Sequence, residues 1–312
     1  MKKFLIIFSS VISSAIALIY YACSPTLLPD NDSKWQNLLR FIHYNCLKVK
    51  TDPFCNEGLP TSDVSIDVII PVIEKDAKTL LLTIESVRAN ILQSVQNIYL
   101  VAPESTLLRK IASEKKCIFV LEDNVLPVFS KNTQRKGWIK QQYLKLNADT
   151  VAVCEHFLII DADTLLIRPQ IFVNRNKSVL NILYDYWFKR KQMVKIALGF
   201  NKFHNLDFTS HHMLFSKKKL KALKQHLENL HKKPWQDALD SLDIPENSFS
   251  EYELYGNFVA QRFANEVEFV LGSNIIFPRN GLDNVDKARD YLCNKYKNMT
   301  MHSFLTIEGM TE

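Results

Sequence analysis

Glycine is scarce in this chain. Its 312 residues include only 7 glycines, and neither a GxGxxG nor a GxxxxGK[ST] run occurs. Dinucleotide fingerprints and P-loops need glycine where backbone must approach phosphate, so both are excluded. None of the six cysteines forms a CxxC pair, which removes a zinc ribbon. Cys117 and Cys154 lie in or beside apolar runs and read as buried thiols, whereas Cys46 and Cys55 bracket a polar segment and can close a small loop in an oxidising compartment. A strong charge excess is also missing. Lys plus Arg is 39 against 33 for Asp plus Glu, a net charge of +6. That suits a phosphate-bearing ligand or an anionic membrane face and excludes nucleic acid as a partner. No internal repeat or low-complexity run appears. Asn-X-Ser/Thr triplets begin at Asn31, Asn176 and Asn298, close to chance for this length. What is present, 47% apolar and 23% charged residues, is the composition of a folded chain.

The N-terminus is a separate object. Met1-Lys2-Lys3 precedes an uncharged run from Phe4 to Ala22. As a helix that run spans about 28 Å, close to the hydrocarbon thickness of a bilayer. A single membrane span over residues 4–22 is expected, with Lys2 and Lys3 favouring a cytoplasmic N-terminus. A cleaved signal peptide is the alternative, because Ser9, Ser10, Ser13 and Ser14 dilute the run. The organisation expected is an anchor or signal segment over 1–23, a polar stem over 24–62 and a catalytic domain over 63–312. Trp35, Leu38, Leu39 and Ile42 give the stem one short amphipathic helix.

From Ile66 the pattern alternates. Apolar runs at Ile66–Val72, Ile98–Val101, Ile118–Leu121 and Phe157–Ile160 read as buried strands, and helical spacing fills the gaps between them. Strand and helix in alternation predict an α/β fold with a mostly parallel sheet, whose ligands bind outside the carboxyl ends of the strands. Pro71–Asp76, Ala102–Ser105 and Glu122–Asn124 fall there. Helices are also predicted around Trp138–Leu146, over Lys217–Lys232 and over Glu251–Asn265, with a last strand at Val267–Leu271.

The strongest chemical signal is Phe157-Leu158-Ile159-Ile160-Asp161-Ala162-Asp163. Two carboxylates one residue apart at the end of a buried strand can hold one hard divalent cation, Mn²⁺ or Mg²⁺, which neutralises a departing diphosphate. An ordinary Asx-rich turn is the other meaning of such a triplet. Haloacid-dehalogenase-like phosphatases also use paired aspartates, but they want Thr or Val where this chain has Leu165, and their first aspartate opens the domain.

These segments resemble the GT-A fold of nucleotide-sugar glycosyltransferases, Rossmann-like with a mostly parallel sheet and flanking helices. More narrowly, Gly137-Trp138 with Gln141-Gln142 and Leu144-Lys145-Leu146, Ser210-His211-His212-Met213-Leu214-Phe215, and Ser250-Glu251-Tyr252-Glu253-Leu254-Tyr255-Gly256-Asn257 resemble an uncharacterised family grouped with those enzymes. The resemblance covers about Ile66 to His302. It implies a metal-dependent glycosyltransferase with a nucleotide-sugar donor and a glycan, lipid or protein acceptor. It also implies Asp161 and Asp163 as metal ligands, with His302 completing the shell.

Other candidates follow. Glu251 and Glu253 are the choices for acceptor contact or general base, and helical geometry lets only one of them face the site. Ser250 is placed to cap their helix. Pro71, Asp76, Asp123 and one of His211 and His212 are expected on the donor side. Arg135, Gln141 and Lys145 are expected to meet its diphosphate, and Trp138 to be a core or pocket-wall aromatic. A membrane-tethered nucleotide-sugar or carbohydrate-binding domain without turnover remains the non-enzymatic alternative.

Overall fold

A computed structural model describes residues 62–127, 136–183, 188–203, 206–244, 248–279 and 285–302. The expected anchor, most of the stem and Arg135 lie outside the described residues. Among the described residues no helix is long and apolar enough to cross a membrane.

The chain begins with β1 (Ile66–Pro71), α1 (Ala77–Asn90), β2 (Val95–Ala102), α2 (Thr106–Glu114), β3 (Ile118–Leu121), a short helical turn α3 (Glu122–Val125), α4 (Lys136–Leu146) and β4 (His156–Ile160). Next come β5 (Thr164–Leu166), β6 (Val173–Asn174), β7 (Lys177–Ile182), α5 (Phe188–Leu198) and β8 (His212–Ser216). The last stretch is α6 (Lys217–His231), α7 (Trp235–Ser241), α8 (Glu251–Arg262), β9 (Val267–Leu271), β10 (Asn274–Pro278), α9 (Val285–Leu292) and β11 (Asn298–His302). The central sheet has the order β3-β2-β1-β4-β8, parallel except for β8, which runs antiparallel to β4. Two three-stranded sheets, β10-β11-β5 and β6-β7-β9, stand beside it.

Side chains alternate across the central strands, and both faces are covered. Ile69, Tyr99, Val101, Phe157 and Ile159 pack with Ile139 and Tyr143 of α4 and Tyr252 and Tyr255 of α8. Ile66, Val68, Ile70, Leu158 and Ile160 pack with Leu80, Ile84 and Val87 of α1 and Leu108 of α2. Burial on both faces is why these strands read as unbroken apolar runs. The exception is Asp67 in β1, fully buried; it accepts the amides of Val153 and Cys154 and the Asn97 side chain, so its charge is met locally.

Chain order places the site. From β1 the chain moves to β2 and β3 on one side, then returns to β4 on the other. The order therefore reverses between β1 and β4, and the crevice outside their carboxyl ends is where an open α/β sheet binds ligand. Pro71–Asp76 and Asp161–Asp163 are the segments that leave those two strand ends.

Candidate functional site

Beyond β4 the backbone turns sharply. The Thr164 amide donates to Asp161 O, Met301 donates to Asp163 O and the Thr83 hydroxyl donates to Ala162 O, so three elements fix the loop. The Asp161 amide donates to His211 O at 3.0 Å, just before β8. His211 takes a left-handed backbone, φ +60°, which brings its Nδ1 to 3.3 Å from Asp161 Oδ2.

Asp161 sits in a buried charge cluster. Lys145 Nζ, from α4, lies 2.6 Å from Asp161 Oδ1, 2.7 Å from Glu251 Oε1 and 3.2 Å from the Tyr252 hydroxyl. The same ammonium lies over the Tyr252 ring. Burial alone would raise the Asp161 carboxyl, but Lys145 and then His211 outweigh it and hold it well below the usual carboxylate range. Burial likewise opposes charge on Lys145, yet Asp161 and Glu251 together drive its pKa above the ordinary lysine value. Lys145, expected from the sequence to meet a diphosphate, is 3% exposed and enclosed by two carboxylates, and in this structure it neutralises Asp161 and Glu251.

Asp163 behaves differently. Burial and then the neighbouring Asp161 charge push its carboxyl up to about 6, against the pull of His211 and Arg279. Arg279, just past β10, reaches both Asp163 and Asp76. Asp76 in turn lines a cavity of about 420 Å³ together with Pro71, Trp138, Gln141, Glu122 and Lys140, at the carboxyl ends of β1 and β2. The Asp pair and the cavity are thus joined through Asp76 and Arg279.

Three candidate side chains are placed elsewhere. Asp123 projects to solvent, 78% exposed, and Glu122 lines the cavity in its stead, paired with Lys140 at 2.6 Å. His212 is fully buried in β8, with Nδ1 at Ser210 O and Nε2 at Asn181; burial lowers it to about 4, so it is a neutral core imidazole. Glu253 is also fully buried: it accepts from the amide of Phe208 and the side chain of Asn257, and pairs with Lys202 at 2.7 Å. Burial carries its carboxyl up to about 7, and neither its position nor its partners suit a contact with acceptor. Glu251 is the glutamate that faces the Asp161 cluster, although neither lines the cavity. Ser250 caps α8 by accepting from the Glu253 amide. His302 ends β11 opposite Pro278, its side chain outside the described residues. Among the described residues no three His, Cys, Asp or Glu side chains form a metal-holding group.

Arg279, Tyr252 and Lys140 were not singled out from the sequence, and Glu122 only as part of the segment that follows β3. Tyr252 carried a signal, lying between the two glutamates on a capped helix. Arg279 carried none, because its partners are 203 and 116 residues away.

The structure is similar to that of the galactosyltransferase LgtC in complex with donor and acceptor sugar analogues, at TM-score 0.45 and 14% identity, over 78% of this chain and 92% of that one. It is also similar to the apo bifunctional glycosyltransferase WbbM, at TM-score 0.47 and 12% identity, over 98% of this chain and 60% of that one. A third likeness is to glucosyl-3-phosphoglycerate synthase from Mycobacterium tuberculosis in complex with Mn²⁺, uridine diphosphate and glucosyl-3-phosphoglycerate, at TM-score 0.40 and 12% identity, over 72% and 77%. Likenesses this distant carry no activity across. No curated protein matches the sequence. The model of a family of unknown function, DUF6492, matches residues 63–270, more than half of the chain, and the protein belongs to that family.

Proposed function

We propose that the protein is a metal-dependent glycosyltransferase of GT-A fold that moves a sugar from a nucleotide-diphosphate donor to an acceptor hydroxyl. The observation that carries this reading is the placement of Asp161 and Asp163 at the end of a buried strand, at the point where strand order reverses, beside a cavity of about 420 Å³. That volume is in the range of small-ligand pockets, roughly 300–1,000 Å³. Trp138 offers a flat wall for a base, while Gln141 and Lys140 offer donors.

The donor set fits a hard divalent cation. Two carboxylates lie close enough for one to raise the other's pKa, and each already draws a side-chain cation, Lys145 or Arg279. Asp161 and Asp163 would hold Mn²⁺ or Mg²⁺, and the ion would supply neutralisation of charge on the leaving diphosphate. Lys145 keeps Asp161 ionised for that task at neutral pH. Glu251 and Tyr252 hold Lys145 in place, and the left-handed turn at His211 sets an imidazole against the same carboxylate.

A thermal-shift panel of nucleoside diphosphates, each with and without Mn²⁺, tests the reading. One nucleotide should raise the melting temperature selectively and only with the metal, because binding to the native state alone stabilises it. A uniform absence of shift across the panel counts against a nucleotide-sugar donor.

A further inference from the structure

Each aspartate of the pair has its own internal cation, and the two cations are held differently. Lys145 is sealed at 3% exposure and gripped by a second carboxylate, Glu251. Arg279 is 20% exposed and its grip is lopsided. Its Nη1 is 2.6 Å from Asp76 Oδ1, whereas Nη2 is 3.3 Å from Asp163 Oδ2 and 3.4 Å from Met301 O. Its Nε is buried without a hydrogen-bond partner. The guanidinium is therefore anchored on Asp76, at the cavity wall, and only loosely engaged on Asp163.

We propose that Arg279 is an internal counter-ion for Asp163 that competes with the divalent cation for this carboxylate and yields it when the cation binds, staying tethered to Asp76. The inference rests on the metal reading given above. Guanidinium and dication carry charge of the same sign, so Arg279 must move away from Asp163 or repel the incoming ion. A positive group within a few Å of an incoming dication weakens that ion's binding, most of all where water is scarce. Asp76 provides a place for the displaced charge beside the cavity, so release from Asp163 leaves no buried cation unpaired.

The test is binding of Mn²⁺ alone, read as loss of the free-ion electron paramagnetic resonance signal, to the full chain and its variants. Arg279→Gln should bind Mn²⁺ roughly 10- to 100-fold more tightly than the wild type, as expected for removing a like charge at close range. Arg279→Lys keeps the charge but cannot bridge both carboxylates, and should fall between the two; it decides the matter if the Gln variant does not fold. In an Asp163→Asn background Arg279→Gln should give little further gain over Asp163→Asn alone, which separates competition at Asp163 from a general change in charge. Equal or weaker binding in both Arg279 variants, with the wild type binding, overturns the competition and leaves the metal reading standing. An absence of binding in the wild type and all variants overturns both.

Discussion

Replacing Lys145 with Met probes the centre of the site. The side chain volume is nearly kept, so the change isolates charge. In the native protein the ammonium is 2.6 Å from Asp161 and 2.7 Å from Glu251, all three side chains nearly or largely buried. Removing one member of a buried ionic group typically costs about 3–5 kcal/mol, because the partner charge stays desolvated and uncompensated. Here two carboxylates are stranded, so the loss should lie at the upper end, a large part of the roughly 5–15 kcal/mol that holds a domain together. The loss should also depend on pH. In the wild type Asp161 is held below its ordinary value, so its contribution is full above about pH 3.9 and disappears as pH falls toward the depressed value. The variant lacks that contribution, hence the two proteins should converge in acid. Urea unfolding at pH 7 and at about pH 2, inside the range where the Asp161 contribution fades, with circular dichroism, measures both effects. A difference under about 1 kcal/mol at pH 7, or one that does not shrink in acid, refutes the argument.

Three other outcomes are expected. Gly256→Ala places a Cβ 2.4 Å from the Phe208 ring, so although Ala favours helix, overpacking should destabilise by about 1–3 kcal/mol in thermal unfolding. Glu253 is raised to about 7, first by burial, so the native state holds a proton that the unfolded chain releases near pH 4.5; stability should therefore decline from pH 5 to pH 8, and Glu253→Gln should reduce that decline by on the order of 1–3 kcal/mol. Residues 4–22 are proposed to anchor the chain as one span, so the full-length protein should resist carbonate extraction from membranes; a mature protein whose N-terminal sequence begins after Ala22 counts against it.

How much of this was legible in the sequence depended on burial. β1, β2 and β4 are covered on both faces and appear as uninterrupted apolar runs, while Glu251–Arg262 was marked by Ser250 at its cap. β11 stayed hidden for a physical reason. Its five residues alternate polar and apolar, which reads as a half-exposed segment. Yet Asn298 and Thr300 are buried as fully as Met299 and Met301 and hydrogen-bond to Gln170 and Thr164, and the run is too short and too poor in β-branched residues to stand out. β8 opens on His212, a core imidazole satisfied by Asn181 and Ser210, whereas His211 beside it faces Asp161, and adjacency in sequence gives no sign of which of the two is packed. The aspartate pair was readable because chemistry and strand end coincide in seven consecutive residues. The bridges through Arg279 and Lys145 were not, since charge pairing across 116 or 106 positions leaves no local spacing to detect.

The central claim is that Asp161 and Asp163 hold a cation that drives departure of a nucleoside diphosphate. The most direct measurement is release of nucleoside diphosphate from a panel of nucleotide sugars, in Mn²⁺ and in excess chelator, by the wild type and by Asp163→Asn. At least one donor should be hydrolysed slowly in Mn²⁺, and chelator or the substitution should reduce that rate by about 100-fold or more, with an unchanged melting temperature in the variant. Equal rates in metal and chelator, or no release from any donor, contradict the account.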